Sequence, residues 1–223
     1  RLKLNNKVNL TLARSIYSKS FLEKILILKR VQNYPPKNML SENEFIIKPD
    51  APIEGKKYVY LSANKKINLY RNKILSPKIS HNRKIFVQKK MNGSDITFLF
   101  FKKYKNKKIT PILRLQEFNK FDQNNSLKHL AICSPPLIKI SNKLNQKIHN
   151  TLKKMNFLIK NYYGLFSISM KIHKNDFFIY EMNVGLLGDK ICEKFLPNFY
   201  QNNFYDNEIY NKSSSFRFIK KNK

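Results

Sequence analysis

Seven short apolar runs, from EFIIKPD to DFFIYEMNV, are separated by turn-forming residues, and this punctuation constrains the chain more than any other feature. None of the runs approaches the ~18 residues that a membrane-spanning helix requires. EFIIKPD reads as a short buried strand, and KKYVYLS alternates with a period of two, the pattern of a strand with one buried face. Four stretches carry apolar residues at helical spacing instead: residues 17–30, 64–75, 138–158 and 189–196. The paired prolines of VQNYPPKN stop the first, because proline lacks an amide hydrogen and its ring collides with the preceding turn. Gly93, Asn106 and the pair Lys174-Asn175 mark turns between successive strands. Residues 116–136 are polar and end on prolines, which predicts a long loop. The predicted order is helix, β-hairpin, helix, three strands, long loop, helix, β-hairpin, helix. That is an α+β chain with mostly antiparallel sheets, each covered on one face by helices, and it has no internal repeat.

With 223 residues, 42% of them hydrophobic, there is enough apolar surface for one sizeable domain or two small ones. The net charge of +30 ordinarily points to nucleic acid or an anionic membrane, because basic patches gain affinity by releasing counterions. The excess is nearly all lysine, however, and arginine, the residue that reads phosphates with a bidentate fork, stands only at positions 1, 14, 30, 71, 83, 114 and 217. Lysine rises together with Asn, Ile, Phe and Tyr, as in an A+T-rich coding sequence, so much of the charge reads as mutational bias. Cys133 and Cys192 stand alone, with neither a CxxC nor a neighbouring histidine, which indicates no zinc site and no disulfide framework. A bacterial cytoplasm or an organelle matrix is the expected compartment. The opening RLKLNNKVNL lacks the apolar core of a signal peptide, and the absence of an initiating methionine reads as processing or excision from a longer product.

Two places could carry chemistry. Lys48 follows three apolar residues on a predicted central strand, where an unpaired ammonium is costly to bury. It either snorkels from the strand end or faces a cleft and meets a phosphate. In the second case the following loop, with Gly55 and Lys56, folds over that phosphate through backbone amides and added charge. On DFFIYEMNV, side chains two residues apart share a face, so Glu181 and Asn183 point the same way. A carboxylate beside an amide oxygen suits Mg²⁺, which takes few protein ligands and completes its shell with phosphate and water. The competing reading is a strand-end acid paired with one of many lysines. His81, His129, His149 and His173 show no ligand-like spacing and read as ordinary histidines. The run FFKKYKNKK mixes aromatics with lysines as single-strand binders do, and reads as a solvated hairpin at this composition.

Taken in order, these parts resemble the ATP-grasp fold, in which two α+β subdomains close on ATP. More narrowly they resemble the ATP-grasp region of phosphoribosylamine-glycine ligases (glycinamide ribonucleotide synthetases). Five segments carry the resemblance across residues 18–197: SKSFLEKILI, FIIKPDAPIEGKKYVYL, FVQKKMNGSDITFLFF, SPPLI and FFIYEMNVGLLGDKICEKFLP. It implies that Lys19 and Lys48 contact ATP phosphates, and that Gly55 and Lys56 belong to the lid. Val87 and Gln88 would cradle adenine, Asp95 would reach the ribose hydroxyls, and Glu181 and Asn183 would hold Mg²⁺ or Mn²⁺. The implied reaction joins glycine to phosphoribosylamine through an acyl phosphate, as in purine biosynthesis. The protein would supply positioning and charge neutralisation, and no residue is singled out as a covalent catalyst.

The resemblance divides the chain into an extension at residues 1–16, a lid subdomain with the hinge at 17–92, a larger subdomain with the metal site at 93–199, and a polar, frayed tail at 200–223. It also has departures. Gln88-Lys89 replaces two glutamates, Lys57 stands for a lid glycine, and Gly185 takes the place of an arginine. The family's flanking domains have no counterpart in these residues, which implies that the chain is a fragment, is completed by separate chains, or is a degenerate remnant with decayed activity. The competing reading is a basic, non-catalytic accessory protein that keeps an ATP-grasp scaffold and associates with RNA or ribosomes.

Overall fold

The computed structural model describes residues 10–50, 59–63, 70, 74, 84–102, 109–160, 162–184 and 216–219. The stretch predicted as one helix over 17–30 is two helices divided at Ser18. α1 (Leu10–Tyr17) begins inside the segment expected to be an extension, and α2 (Lys19–Leu28) follows at once. Ser18 is extended, with φ −138° and ψ 112°, and its hydroxyl accepts the Phe21 amide hydrogen as an N-cap. The apolar spacing runs through both helices, so only the cap marks the break.

Three strands form a small sheet in the order β2-β1-β3: β1 (Leu40–Pro49), β2 (Tyr60–Ala63) and β3 (Ile85–Met91). Six form a larger one in the order β8-β7-β4-β5-β6-β9: β4 (Ser94–Lys102), β5 (Ile109–Phe121), β6 (Leu127–Ser134), β7 (Gly164–His173), β8 (Asp176–Val184) and β9 (Phe216–Ile219). Among the described residues every ladder is antiparallel, as expected from the hairpin-rich sequence. No helix among them is long and apolar enough to cross a membrane.

Alternation gives the large sheet two unlike faces. Ile96, Phe98 and Phe100 of β4 and Phe166, Ile168 and Met170 of β7 pack against Leu22 and Leu26 of α2. Leu144 and Ile148 of α3 (Asn142–Lys154) and Leu158 of α4 (Asn156–Ile159) complete that core. The intervening residues Asp95, Thr97, Ser169 and Lys171 therefore face the other way. Lys102 closes the far end of the core. Only 2% exposed, it donates to the Ile159 and Lys160 carbonyls at the end of α4 and lies 5.2 Å from the Tyr163 ring.

The expected loop over 116–136 is instead a β-hairpin. β5 runs on to Phe121, and the Asp122 carboxylate accepts from the Asn124 and Ser126 amides, both at 2.9 Å, to turn the chain. The polar residues that made this segment look like a loop include Glu117, Asn119 and His129, which line a cavity. The hairpin tip also crosses to the small sheet: the Leu61 amide donates to the Asn125 carbonyl and the Leu127 amide to the Val59 carbonyl, both at 2.9 Å. In the segment expected to be a frayed tail, residues 216–219 form β9 against β6. Of the helix predicted over 64–75, Tyr70 and Ile74 are helical and pack on Ile47. The helix predicted over 189–196, the turn at Asn106, and Gly55, Lys56, Lys57 and Gly185 lie outside the described residues.

Lys174 turns β7 into β8 with φ 52°, and Gly93 turns β3 into β4 with φ 120°. A Cβ on Gly93 would sit 2.4 Å from the Ile172 carbonyl oxygen. Gly93→Ala is therefore expected to cost about 2 kcal/mol or more from strain and backbone displacement. In urea titrations this appears as a lower midpoint with unchanged slope.

Candidate functional site

The polar face of the large sheet, the small sheet and the start of α2 enclose a cavity of about 650 Å³. Its position follows from local chemistry at the end of β1. Asp50, two residues after Lys48, accepts from the Ser18 hydroxyl at 2.6 Å and from the Ser20 amide at 2.7 Å. Its carbonyl accepts from the Lys19 amide at 3.1 Å. A carboxylate is favoured at the positive end of a helix, so Asp50 pins α2 to β1 and sets Lys19 beside Lys48.

Five of the residues singled out from the sequence line this cavity: Lys19, Lys48, Gln88, Asp95 and Glu181. Val87 does not join them. It lies opposite Ile47 on the β1–β3 ladder and packs into the cluster of Ile47, Tyr70 and Ile74 on the other face of the small sheet. Neighbouring strand residues alternate faces, so a hinge made of Val87 and Gln88 offers the cavity only the Gln88 side chain. Gln88 Oε1 is buried and has no hydrogen-bond partner among the described residues.

Asn183 and Glu181 pair across β7 and β8 with Ser167 and Ser169, placing both on the polar face. The register slips between these pairs and Met170–Ile179, leaving Tyr180 as an extra residue. Ile179 and Met182 both belong to the helix-side core, and between them Tyr180 and Glu181 both face the cavity. Gln32 holds the strand just before this bulge: its Nε2 donates to the Ile179 carbonyl at 3.1 Å and its Oε1 accepts from the Ile179 amide at 2.9 Å.

The cavity gathers both lysines and carboxylates on its walls. Lys48 is 6% exposed, and burial holds its pKa down to about 8, with Lys19 pushing the same way and Glu181, Glu23 and Asp95 opposing. Glu23 is shifted upward by burial, offset by Lys48. Lys19 approaches Glu181 at 4.0 Å, a loose pair that leaves the carboxylate able to take another cation. Asp95 is well engaged, accepting from Lys171 at 2.8 Å, Asn119 at 3.1 Å and the Tyr180 hydroxyl at 3.2 Å. Burial, then the Asp95, Glu117 and Glu181 carboxylates, raises the Tyr180 pKa well above its ordinary value, so the phenol stays a donor. His129 lies 3.6 Å from Glu117 at the hairpin side of the cavity.

Sequence reasoning missed Tyr180, Lys171, Glu117 and His129. Lys171 carries a signal in retrospect, because it interrupts SISMKIH at a position alternating with the core residues Met170 and Ile172. Among the described residues no three His, Cys, Asp or Glu side chains cluster as a metal cage. Glu181 lines the cavity and Asn183 stands on the same face of β8 outside that lining; a carboxylate with an amide oxygen fits a hard cation that draws its remaining ligands from phosphate and water.

No family model and no curated protein sequence matches the chain. Solved structures do match. Biotin carboxylase from Campylobacter jejuni, solved as a β-γ-ATP complex, aligns with 15% identity and a TM-score of 0.60 over 83% of this chain and 44% of that one. Phosphoribosylamine-glycine ligase from Thermotoga maritima aligns with 14% identity and a TM-score of 0.54 over 78% and 49%. D-alanine-D-alanine ligase from Bacillus anthracis, solved with ATP, aligns with 13% identity and a TM-score of 0.51 over 79% and 57%. The chain thus spans less than two thirds of the length of each. On this likeness the chain, with its two antiparallel sheets, has the ATP-grasp fold.

Proposed function

We propose that this chain forms the nucleotide-binding body of an ATP-dependent ligase that joins a carboxylate to an amine, with glycine and phosphoribosylamine as its substrates. The observation that carries this reading is the convergence of Lys19 from α2, Lys48 from β1, Gln88 from β3 and Glu181 from β8 on one cavity. The glycine and phosphoribosylamine assignment is supported by the order of the five sequence segments.

In this reaction the γ-phosphoryl group of ATP passes to the glycine carboxylate, releasing ADP. The amine then attacks the acyl carbon and inorganic phosphate leaves. Bound at Glu181 and Asn183, a Mg²⁺ ion would neutralise charge on the phosphate oxygens. The Lys19 and Lys48 ammoniums stabilise the same oxygens, as fixed charges in a water-poor cleft stabilise a phosphoryl-transfer transition state. The unpaired Gln88 Oε1 accepts a hydrogen bond from an exocyclic amine of the base.

Calorimetry of the intact protein with ATP tests the reading. Binding that requires Mg²⁺ and weakens at least tenfold in Glu181→Ala is expected. No ATP binding with Mg²⁺ present would overturn it. ADP release that depends on both glycine and phosphoribosylamine is the expected result for the narrower assignment, and release with other amine and carboxylate pairs alone would overturn that assignment.

A further inference from the structure

The Lys48 ammonium sits between two aromatic rings, one from each sheet. Phe86 lies directly opposite Lys48 on the β1–β3 ladder, so both side chains leave the same face, and Nζ is 5.3 Å from the Phe86 ring centre. Tyr180 comes from the β8 bulge on the large sheet, with its ring centre 5.5 Å from Nζ. Both distances are within the ~6 Å over which an aromatic face attracts a cation. The Tyr180 ring is anchored by its hydroxyl, which donates to Asp95 at 3.2 Å, and Asp95 is fixed in turn by Lys171 and Asn119. Charged neighbours of Lys48 pair with one another, Lys19 with Glu181 and Lys171 with Asp95.

We infer that Phe86 and Tyr180 are positioning residues: an aromatic clamp that holds the buried Lys48 ammonium un-neutralised and aimed at an incoming polyphosphate. The inference rests on the ATP reading above. A carboxylate in the place of either ring would pair with Lys48 and cancel the charge that a phosphate needs. A ring face stabilises the cation through its quadrupole and leaves the net charge in place. The remaining charged groups acting on Lys48 are Lys19 and Glu23 from α2, Glu181 from β8 and Asp95 from β4. Because one ring belongs to each sheet, Lys48 is held this way only while the two sheets keep their present approach.

The test compares Phe86→Leu, Tyr180→Leu and Tyr180→Phe with the parent protein, using calorimetry with MgATP and, separately, with inorganic tripolyphosphate. Leucine keeps the site apolar and of similar bulk, and melting curves confirm that each variant is folded. Each leucine variant is expected to bind both probes about tenfold to thirtyfold more weakly, up to the size of one desolvated cation–π contact. Tyr180→Phe, which keeps the ring and loses the bond to Asp95 that anchors it, is expected to lose clearly less affinity than Tyr180→Leu. Parent-like affinity in both folded leucine variants would overturn the clamp, as would a loss in Tyr180→Phe equal to that in Tyr180→Leu. If the parent binds tripolyphosphate in a ring-dependent way but not ATP, the nucleotide reading fails and the clamp stands. If it binds neither probe, both fall.

Discussion

Lys48→Met is expected to lose about thirtyfold to a hundredfold in ATP affinity while melting at a higher temperature than the parent protein at pH 7. The loss follows from removing a charge-assisted contact between phosphate and a buried ammonium, worth about 2–3 kcal/mol. The gain follows from the burial that makes Lys48 useful. Its pKa is about 8 in the fold against 10.5 in the unfolded chain, so the folded state disfavours the proton. Below pH 8 both states hold that proton and the cost, about 3 kcal/mol by linkage, is present in full. Between about 8 and 10.5 the folded state releases it first, the unfolded state binds more protons, and stability rises with pH. Methionine has similar length and no charge, so the variant should lack this rise and gain several degrees in melting temperature at pH 7. A variant that melts below the parent at pH 7 would show that packing of the lysine stem outweighs desolvation of its ammonium.

Asp50→Ala is expected to cost about 3 kcal/mol of stability and to weaken ATP binding as a consequence. The buried carboxylate accepts the Ser18 hydroxyl at 2.6 Å and the Ser20 amide at 2.7 Å, and alanine would leave both donors unsatisfied at a helix end. For a chain of this size that loss corresponds to a fall of about 6–12 °C in melting temperature. Asp50→Asn separates charge from shape: its amide oxygen can accept one of the two bonds, so about half the loss should return. Equal melting temperatures for the alanine variant and the parent would mean that α2 is held in place by the packing of Leu22 and Leu26 alone.

The legible parts of this fold were those decided by neighbours in sequence. The apolar runs DITFLFF and GLFSISMKIH, Gly93, and the Lys174-Asn175 turn place β4, β7 and the hairpin to β8 where the structure has them. Polarity misled where burial is against a polar cavity instead of an apolar core. Residues 116–136 look like a loop because Glu117, Asn119 and His129 face the cleft, yet they alternate as a strand must. The break at Ser18 was hidden for another reason: an apolar stripe can continue across two helices, and the cap depends on Asp50, which is distant in sequence.

The sequence by itself determined an α+β order with Lys48 on a strand and Glu181 and Asn183 sharing a face, and the resemblance added Lys19. Which way those side chains point was decided by the tertiary structure. Strict alternation from Phe177 through Ile179 would carry Glu181 into the helix-side core. The extra residue Tyr180 turns it back to the cleft and adds a ring beneath Lys48. That bulge sits next to Ile179, whose amide and carbonyl are both bonded by the Gln32 side chain from 147 positions earlier in the chain. A local pattern of two cannot encode a register set by hydrogen bonds to a residue so far away, and the direction of Glu181 therefore exists only in the folded chain.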